Sequence, residues 1–446
     1  MSNLLTDDFE PSSAAAWKQK IQFELHGEDY KTLLTSTNEG ITIKPFYHSD
    51  DFEKLEIPVP NEDFIFCKHI LITSEEAASK TALNSIKQGI KSLKFIVKKE
   101  FDFETVFSKL LNKEVDFQFE FSFFSPIFIS ELAEKLKNET VYFNIDIIGN
   151  LAKTGNWYKS FHDDFKNLES IIQKYPTNYC IAVHVDLYQN AGANTVQQVA
   201  YAISHVNEYL LKFGGEIANK IQFDFAIGSN YFFEISKLRA FRYLFNLVLN
   251  EYNTKAEPKV FAQPSLRNKT LFGTDLNNLL RSKTECSSAV FGGANTISIE
   301  SNNSFFTNPI ELKENDLNSF ILLKEDSAQN SVTDSYYIES ITKQIAEKAL
   351  EIFKEIEKGG GFLSQLKEGT IQRKIKENAQ KEQQQFDCGE LVIVGANKYI
   401  NETDTLKPNL SKNPFKEKKS HKTLIIPIIP KRLTEKLEQK KWRNET

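Results

Sequence analysis

A histidine and an aspartate two residues apart, His184 and Asp186, lie in the run Cys180-Ile-Ala-Val-His-Val-Asp-Leu187. Read as a strand, that run puts Ala182, His184 and Asp186 on one face and Val183, Val185 and Leu187 on the other, because successive side chains alternate. A His–Asp pair at the C-terminal end of a barrel strand could do acid–base chemistry, and Asp146 and Asp224 in neighbouring runs could join it. The same residues also describe a polar layer inside a barrel, hydrogen-bonded only to itself. No metal site is expected: the seven histidines show no HxxxH or HxH spacing, and Cys67, Cys180, Cys286 and Cys388 lie too far apart for a zinc knuckle. The four cysteines read as buried free thiols in a reducing cytoplasm.

Two glycine turns, Asn190-Ala-Gly-Ala-Asn194 and Gly292-Gly-Ala-Asn295, follow strand-like runs, where exposed backbone amides can hold a phosphate or other anion. Such turns also simply join strands to helices, and neither a GxGxxG nor a Walker lysine pattern accompanies them. The stretch from Phe223 to Arg242 reads as a strand, a glycine turn and an amphipathic helix packing through Phe233, Leu238 and Phe241.

The elements that must carry these residues alternate. Aromatic and β-branched runs predict strands at 91–97, 116–124, 141–148, 180–187, 220–227, 259–263, 288–291 (an extension over 296–299 stays open) and 319–323. Helical periodicity fills most gaps, at 75–87, 129–137, 196–212, 234–250 and 338–358. This alternation predicts an α/β fold, a (β/α)8 TIM barrel with its core over about 91–358, near the roughly 250 residues usual for it. A doubly wound open sheet has the same periodicity. Gly359-Gly-Gly361 should end the last long helix. Beyond it, 371–385 predicts a further helix and Glu390-Leu-Val-Ile-Val394 a strand closing on the barrel.

With 446 residues, 40% hydrophobic and 26% charged, and a net charge of −5, the composition is that of a folded soluble chain without broad nucleic-acid affinity. Neither a secretory signal nor a membrane span is expected, since the apolar run 424–430 is far shorter than the roughly 20 residues a span needs. Charge is uneven: ten Lys and two Arg against four Glu make 406–446 +8, leaving −13 elsewhere. That end reads as a solvated basic tail or a docking surface for an acidic partner, because only Phe415 and Trp442 could stack on a base.

Trp17 with Leu25-His-Gly-Glu-Asp-Tyr30 and Thr37 to Tyr47, then Tyr188-Gln-Asn-Ala-Gly-Ala-Asn194, Phe223 to Arg242, and Asn277 to Ser298 form an ordered series. Ser335-Tyr-Tyr-Ile-Glu-Ser-Ile-Thr342 and Gly395-Ala-Asn-Lys-Tyr399 complete it. The series resembles the small, or β, subunits of the adenosylcobalamin-dependent methylmalonyl-CoA mutase family. The resemblance implies a barrel for acyl-CoA and, in catalytic members, a C-terminal flavodoxin-like domain for cobalamin. Homolysis of the cofactor's cobalt–carbon bond there starts a radical rearrangement between methylmalonyl-CoA and succinyl-CoA.

Departures from the catalytic members matter as much. Their Asp-x-His-x-x-Gly cobalamin signature is missing, since none of His26, His48, His69, His162, His184, His205 or His421 has an Asp two residues earlier. The sequence also ends where that domain would start, so no flavodoxin-like cobalamin domain is expected. Leu187 stands where catalytic members carry a substrate-holding His, two residues before the Gln-x-Ala-Gly block, and Leu cannot polarise a carbonyl. His184 would face away on a regular strand. Phe64-Ile-Phe-Cys-Lys-His69 replaces a Trp-x-Ile-Arg-Gln-Tyr block, so His69 stands for an active-site Tyr.

The resemblance therefore implies a cytoplasmic, non-catalytic small subunit, part of an isomerase only in a heterodimer whose large subunit holds the adenosylcobalamin. No catalytic, cofactor-binding or metal-binding residue is assigned to this chain, and neither nucleic acid nor membrane is an expected partner. The implied layout is an N-terminal arm over 1–47 wrapping the partner through Trp17 and Phe23, a barrel domain over 48–400 and a basic tail over 401–446. The arm could instead pack on its own barrel. Two rival functions remain: an acyl-CoA barrel with its own chemistry on His184, Asp186 and Asp224, and a chaperone-docking subunit for mutase assembly.

Overall fold

The computed structural model describes residues 10–60, 63–175, 178–272, 275–299, 332, 335–401, 415 and 422–444. Eight parallel strands close into a barrel in chain order: β1 (Ile65–Leu71), β2 (Ser92–Val97), β3 (Asp116–Phe121), β4 (Val141–Ile145), β5 (Tyr179–His184), β6 (Ile221–Ile227), β7 (Lys259–Pro264) and β8 (Thr296–Ser298). β8 pairs with both β7 and β1, which leaves no open edge. The helices are α1 (Ala14–Glu24), α2 (Glu75–Lys87), α3 (Phe103–Phe107), α4 (Pro126–Lys135), α5 (Ile147–Thr154), α6 (Phe161–Lys174), α7 (Val185–Ala191), α8 (Thr195–Phe213), α9 (Tyr231–Glu251) and α10 (Asp275–Phe291). After them come α11 (Tyr336–Lys358), α12 (Phe362–Lys367), α13 (Thr370–Asp387) and α14 (Glu435–Asn444).

Local chemistry explains the helix starts. Ser74, Ser125, Ser160 and Ser335 accept from backbone amides at the N-termini of α2, α4, α6 and α11, and Asn194 with Gln197 forms a capping box on α8. The barrel's outer face is aromatic. Phe95, Phe117, Phe119, Phe143, Phe223 and Phe225 are fully buried between strands and helices, and Phe223 and Phe225 lie 4.6 and 5.0 Å from Phe241 of α9. Burying each such ring contributes about 1.5–3 kcal/mol.

Closure of the barrel overturns the open-sheet alternative, but the strand list changes. β1 lies upstream of the first predicted strand. Ser288 to Phe291 is the last turn of α10 rather than a strand, and the strand is its downstream extension, Thr296–Ser298. The run 319–323 lies outside the described residues. Glu390 to Val394 is not a strand of the barrel: it is a loop with one isolated bridge from Val394 to Lys398, packed in a small separate core with Leu271, Phe272, Phe386 and Leu433. Cys67, Cys180 and Cys286 are buried free thiols as expected, whereas Cys388 is exposed. The α11 helix ends at Lys358, where Gly360 and Gly361 take φ of 93° and 89°.

The described part of the basic end is no solvated tail. Residues 422–434 form an extended strap, hydrogen-bonded through Leu424 N to Gly155 O (2.9 Å), Ile428 N to Ala152 O (2.8 Å), Lys431 N to Asn190 O (2.9 Å) and Leu433 N to Arg267 O (2.9 Å). Gly155 has φ +81°, and a Cβ there would meet Ile425 O and Thr423 Cβ at 2.7 Å. Gly155→Ala is therefore expected to lift the strap, at a cost above about 1 kcal/mol. Limited proteolysis should show faster cutting within 422–434, while Gly214→Ala, with φ +89° but open space around it, should leave the strap protected.

Candidate functional site

The inward strand positions, usually branched aliphatic in such barrels, are largely polar here. Gln118 Nε2 donates to Ser92 Oγ (3.1 Å), and Gln222 Nε2 donates to Gln118 Oε1 (3.1 Å) and Asp224 Oδ1 (2.8 Å). Lys94 Nζ lies 2.5 Å from Asp224 Oδ2 and 4.1 Å above the Phe261 ring. His184 Nδ1 stands 3.5 Å from both Asp224 Oδ2 and Asp186 Oδ1, and Gln263 Nε2 donates to Asp186 Oδ2 at 2.9 Å. The fold thus joins His184, Asp186 and Asp224, as their pattern suggested.

The route differs from a regular strand. β5 stops at His184, and Asp186 and Leu187 belong to α7, where Leu187 is buried. Asp146 does not join the trio's side chains. It caps α5, accepting from Gly149 N (2.7 Å), His184 N (2.9 Å), Tyr209 Oη (2.8 Å) and His205 Nε2 (3.1 Å), while His205 Nδ1 is 2.9 Å from Tyr188 Oη.

The electrostatics follow from these contacts. Burial alone would lower the His184 pKa, but the Asp186 hydrogen bond and the charges of Asp224, Asp186 and Asp146 raise it to about 9. Burial raises the Glu120 carboxyl, yet Lys153, Lys94, His184 and His69 pull it to about 2. Burial and Lys94 push His69 to about 3, so its ring is neutral, stacked 6.0 Å from Phe261. Neither His69 nor the buried Asn144 amide has a hydrogen-bond partner among the described residues. A histidine cationic at neutral pH and held between two carboxylates cannot serve as a general base. The arrangement is a mutually neutralised polar network.

One consequence is measurable. A raised histidine pKa adds stability that is complete below about 6.5, the unfolded value, and lost as pH rises through about 9. His184→Gln should flatten the fall in urea stability between pH 6.5 and 9.5; an unchanged slope would contradict this reading.

Sequence reasoning missed Lys94, Gln118, Gln222 and His205. The signal was present as polar residues two apart within apolar runs, Ser92-x-Lys94, Gln118-x-Glu120 and Gln222-x-Asp224. The amides of the glycine turns are engaged within the chain and not turned toward an anion. Gly192, Ala193 and Asn194 donate to Gln189 O, Tyr188 O and Gln197 Oε1, and the amides of 292–295 likewise donate within the chain. The turn at 292–295 also follows a helix, α10. Phe233, Leu238 and Phe241 are buried as packing residues. The blocks around them brace one another: Arg242 Nη2 donates to Gly293 O (2.6 Å) and Asn295 Oδ1 (2.7 Å), Arg239 pairs with Glu339, and Lys237 Nζ donates to Ala226 O (2.8 Å).

A closed (β/α)8 barrel with a charged, polar lumen defines the class. The family model described as Methylmalonyl-CoA mutase matches residues 133–439, and the chain belongs to that family. The methylmalonyl-CoA mutase small subunit of Porphyromonas gingivalis is 29% identical over 450 residues, covering 90% of this chain and 72% of that one. The methylmalonyl-CoA mutases of Cereibacter sphaeroides and Escherichia coli are 34% and 32% identical, covering 47% and 49% of this chain. The alignments span only 32% and 33% of those two mutases. Among solved structures, Yersinia pestis DHPS with a pterine-sulfa conjugate has a TM-score of 0.35 at 14% identity, covering 60% of this chain and 94% of that one, a likeness too loose to argue from.

His184 and His205 do not fit a cobalt ligand. His205 has both ring nitrogens engaged and His184 is held by carboxylates, so neither is free to ligate cobalt. Among the described residues no cluster of His, Cys, Asp and Glu could hold a metal, and no helix is long and apolar enough to cross a membrane.

Proposed function

We propose that this chain is the small subunit of a cytoplasmic methylmalonyl-CoA mutase heterodimer. It supports a homologous large subunit, which carries the adenosylcobalamin and performs the rearrangement between methylmalonyl-CoA and succinyl-CoA. The observation that carries this reading is the lumen: Lys94, Asp224, His184 and Asp186 form a neutralised network in it, and the residue two before the Gln-x-Ala-Gly block is the buried Leu187. Similarity to a small subunit along 90% of the chain supports it further.

The layout is an arm over 1–47, a barrel domain over 48–400 and a basic end over 401–446. The arm is partly held by its own barrel, with Ile41 buried and Thr42 N donating to Gln344 Oε1 at 3.0 Å. Helix α1 buries no residue, and its Trp17 and Phe23 are 45% and 76% exposed, available to the partner. Mixing tests the reading. This chain alone should not rearrange methylmalonyl-CoA, and it should form a complex with a cobalamin-carrying large subunit that does. Turnover by the isolated chain, or no complex on mixing, would contradict it.

A further inference from the structure

The strap presents an apolar outer face. Ile425 and Ile428 are buried beneath it, while Leu424, Ile426 and Ile429 are 69%, 69% and 57% exposed. The backbone that holds them is fixed by the bonds to Gly155, Ala152 and Asn190, by Gln372 Nε2 donating to Ile426 O (3.1 Å), and by two prolines, Pro427 and Pro430. These contacts lie on α5 and α7, which directly follow β4 and β5, so the strap crosses the end of the barrel where the strands finish. Phe161, 46% exposed at the start of α6, continues the patch through Trp157 and Asn156, whose Oδ1 accepts from Leu424 N.

The patch is cationic at its edges. Residues 422–431, the part of the strap that carries the apolar face, hold two Lys and no Asp or Glu in a chain of net −5. Lys422 and Lys431, at the two ends of the apolar face, are exposed and pair with no carboxylate among the described residues, and Lys367 Nζ lies 5.8 Å from the Phe161 ring centroid. A second copy docked here face to face would bring like charges together, which is unfavourable. An anionic lipid surface is a poorer match, because the side chains stand on a pinned strap rather than on an amphipathic helix that can sink into the interface.

We propose that this outer face, centred on Leu424, Ile426 and Ile429, is a docking surface for the mutase large subunit, which meets it with an apolar patch rimmed by Asp and Glu. The proposal rests on the small-subunit reading and adds a contact separate from the N-terminal arm. It is tested by calorimetric titration of the full chain with the large subunit. Leu424→Ser/Ile426→Ser/Ile429→Ser should weaken binding by about tenfold or more, as loss of central apolar contacts does. Lys422→Glu/Lys431→Glu should weaken it as well, and wild-type affinity should fall with added salt.

Circular dichroism and melting of each variant establish that the barrel is folded. Wild-type affinity in a folded triple variant overturns the surface and leaves the functional reading standing, as does loss confined to Trp17→Ser/Phe23→Ser. Binding of the wild type to phosphatidylserine vesicles but not to the large subunit overturns both, and so does failure to bind the large subunit at all.

Discussion

Lys94→Met is expected to destabilise the barrel by up to about 3–5 kcal/mol, the usual cost of breaking a buried ion pair, less what the His184 cation beside Asp224 offsets. Lys94 and Asp224 are 1% and 0% exposed, and Lys94 is the cation that faces Asp224 at 2.5 Å. Without it, Asp224 keeps only Gln222 Nε2 at 2.8 Å and His184 at 3.5 Å. Urea unfolding measures the loss. The double variant Lys94→Met/Asp224→Leu should recover most of it, because replacing both charges with apolar groups removes the desolvation cost together with the attraction. A single variant as stable as wild type would mean that the lumen is wetter and less coupled than its geometry indicates.

Asp146→Ala should be nearly as damaging, at about 3 kcal/mol or more. It strips the acceptor from Gly149 N, His184 N, Tyr209 Oη and His205 Nε2 at once, and hydrogen bonds to a charged group contribute about 1.5–3 kcal/mol each without adding fully. Burial raises this carboxyl, but the His205 charge and hydrogen bond, the charge of His184 and the His184 amide together hold it well below its ordinary value. The sign follows: a depressed carboxylate stabilises the fold above its unfolded pKa, near 3.9, and that stability is lost as pH falls below it. Asp146→Asn should therefore flatten the acid limb below about pH 4, and because the Asp146 charge also helps to raise the His184 pKa, it should shrink the limb between pH 6.5 and 9.5 without abolishing it.

Much of the barrel was legible because its strands are unusually aromatic. Runs such as Asp116 to Phe121 and Ile221 to Ile227 alternate Phe or Ile facing the helices with polar residues facing inward. β1 was harder to see because Cys67, Lys68 and His69 interrupt its apolar pattern, and those residues look strand-like only once β8 and β2 flank them. Ser288 to Phe291 has strand propensity but packs as a helix end, with Ala289 fully buried and Gly292 beginning the exit.

The break after His184 carries no Gly or Pro to mark it. Asp186 in the first turn of α7 is the local hint, since a carboxylate favours a helix start. The site's members could be suspected from period-two polarity, but not their pairing. Lys94 and Asp224 are 130 residues apart, and only barrel closure sets one against the other. The basic end deceived for a related reason. Lys422, Lys431, Lys436 and Lys440 face solvent, while Ile425, Ile428 and Leu433 hold the strap down.

The central claim is that this barrel supports catalysis without performing it. Turnover of methylmalonyl-CoA by the assembled heterodimer carrying His184→Gln in this chain tests it most directly. The account predicts kcat within about twofold of wild type, since less than 0.5 kcal/mol of barrier is at stake. A hundredfold loss in an intact complex would place His184 in the chemistry and contradict the account.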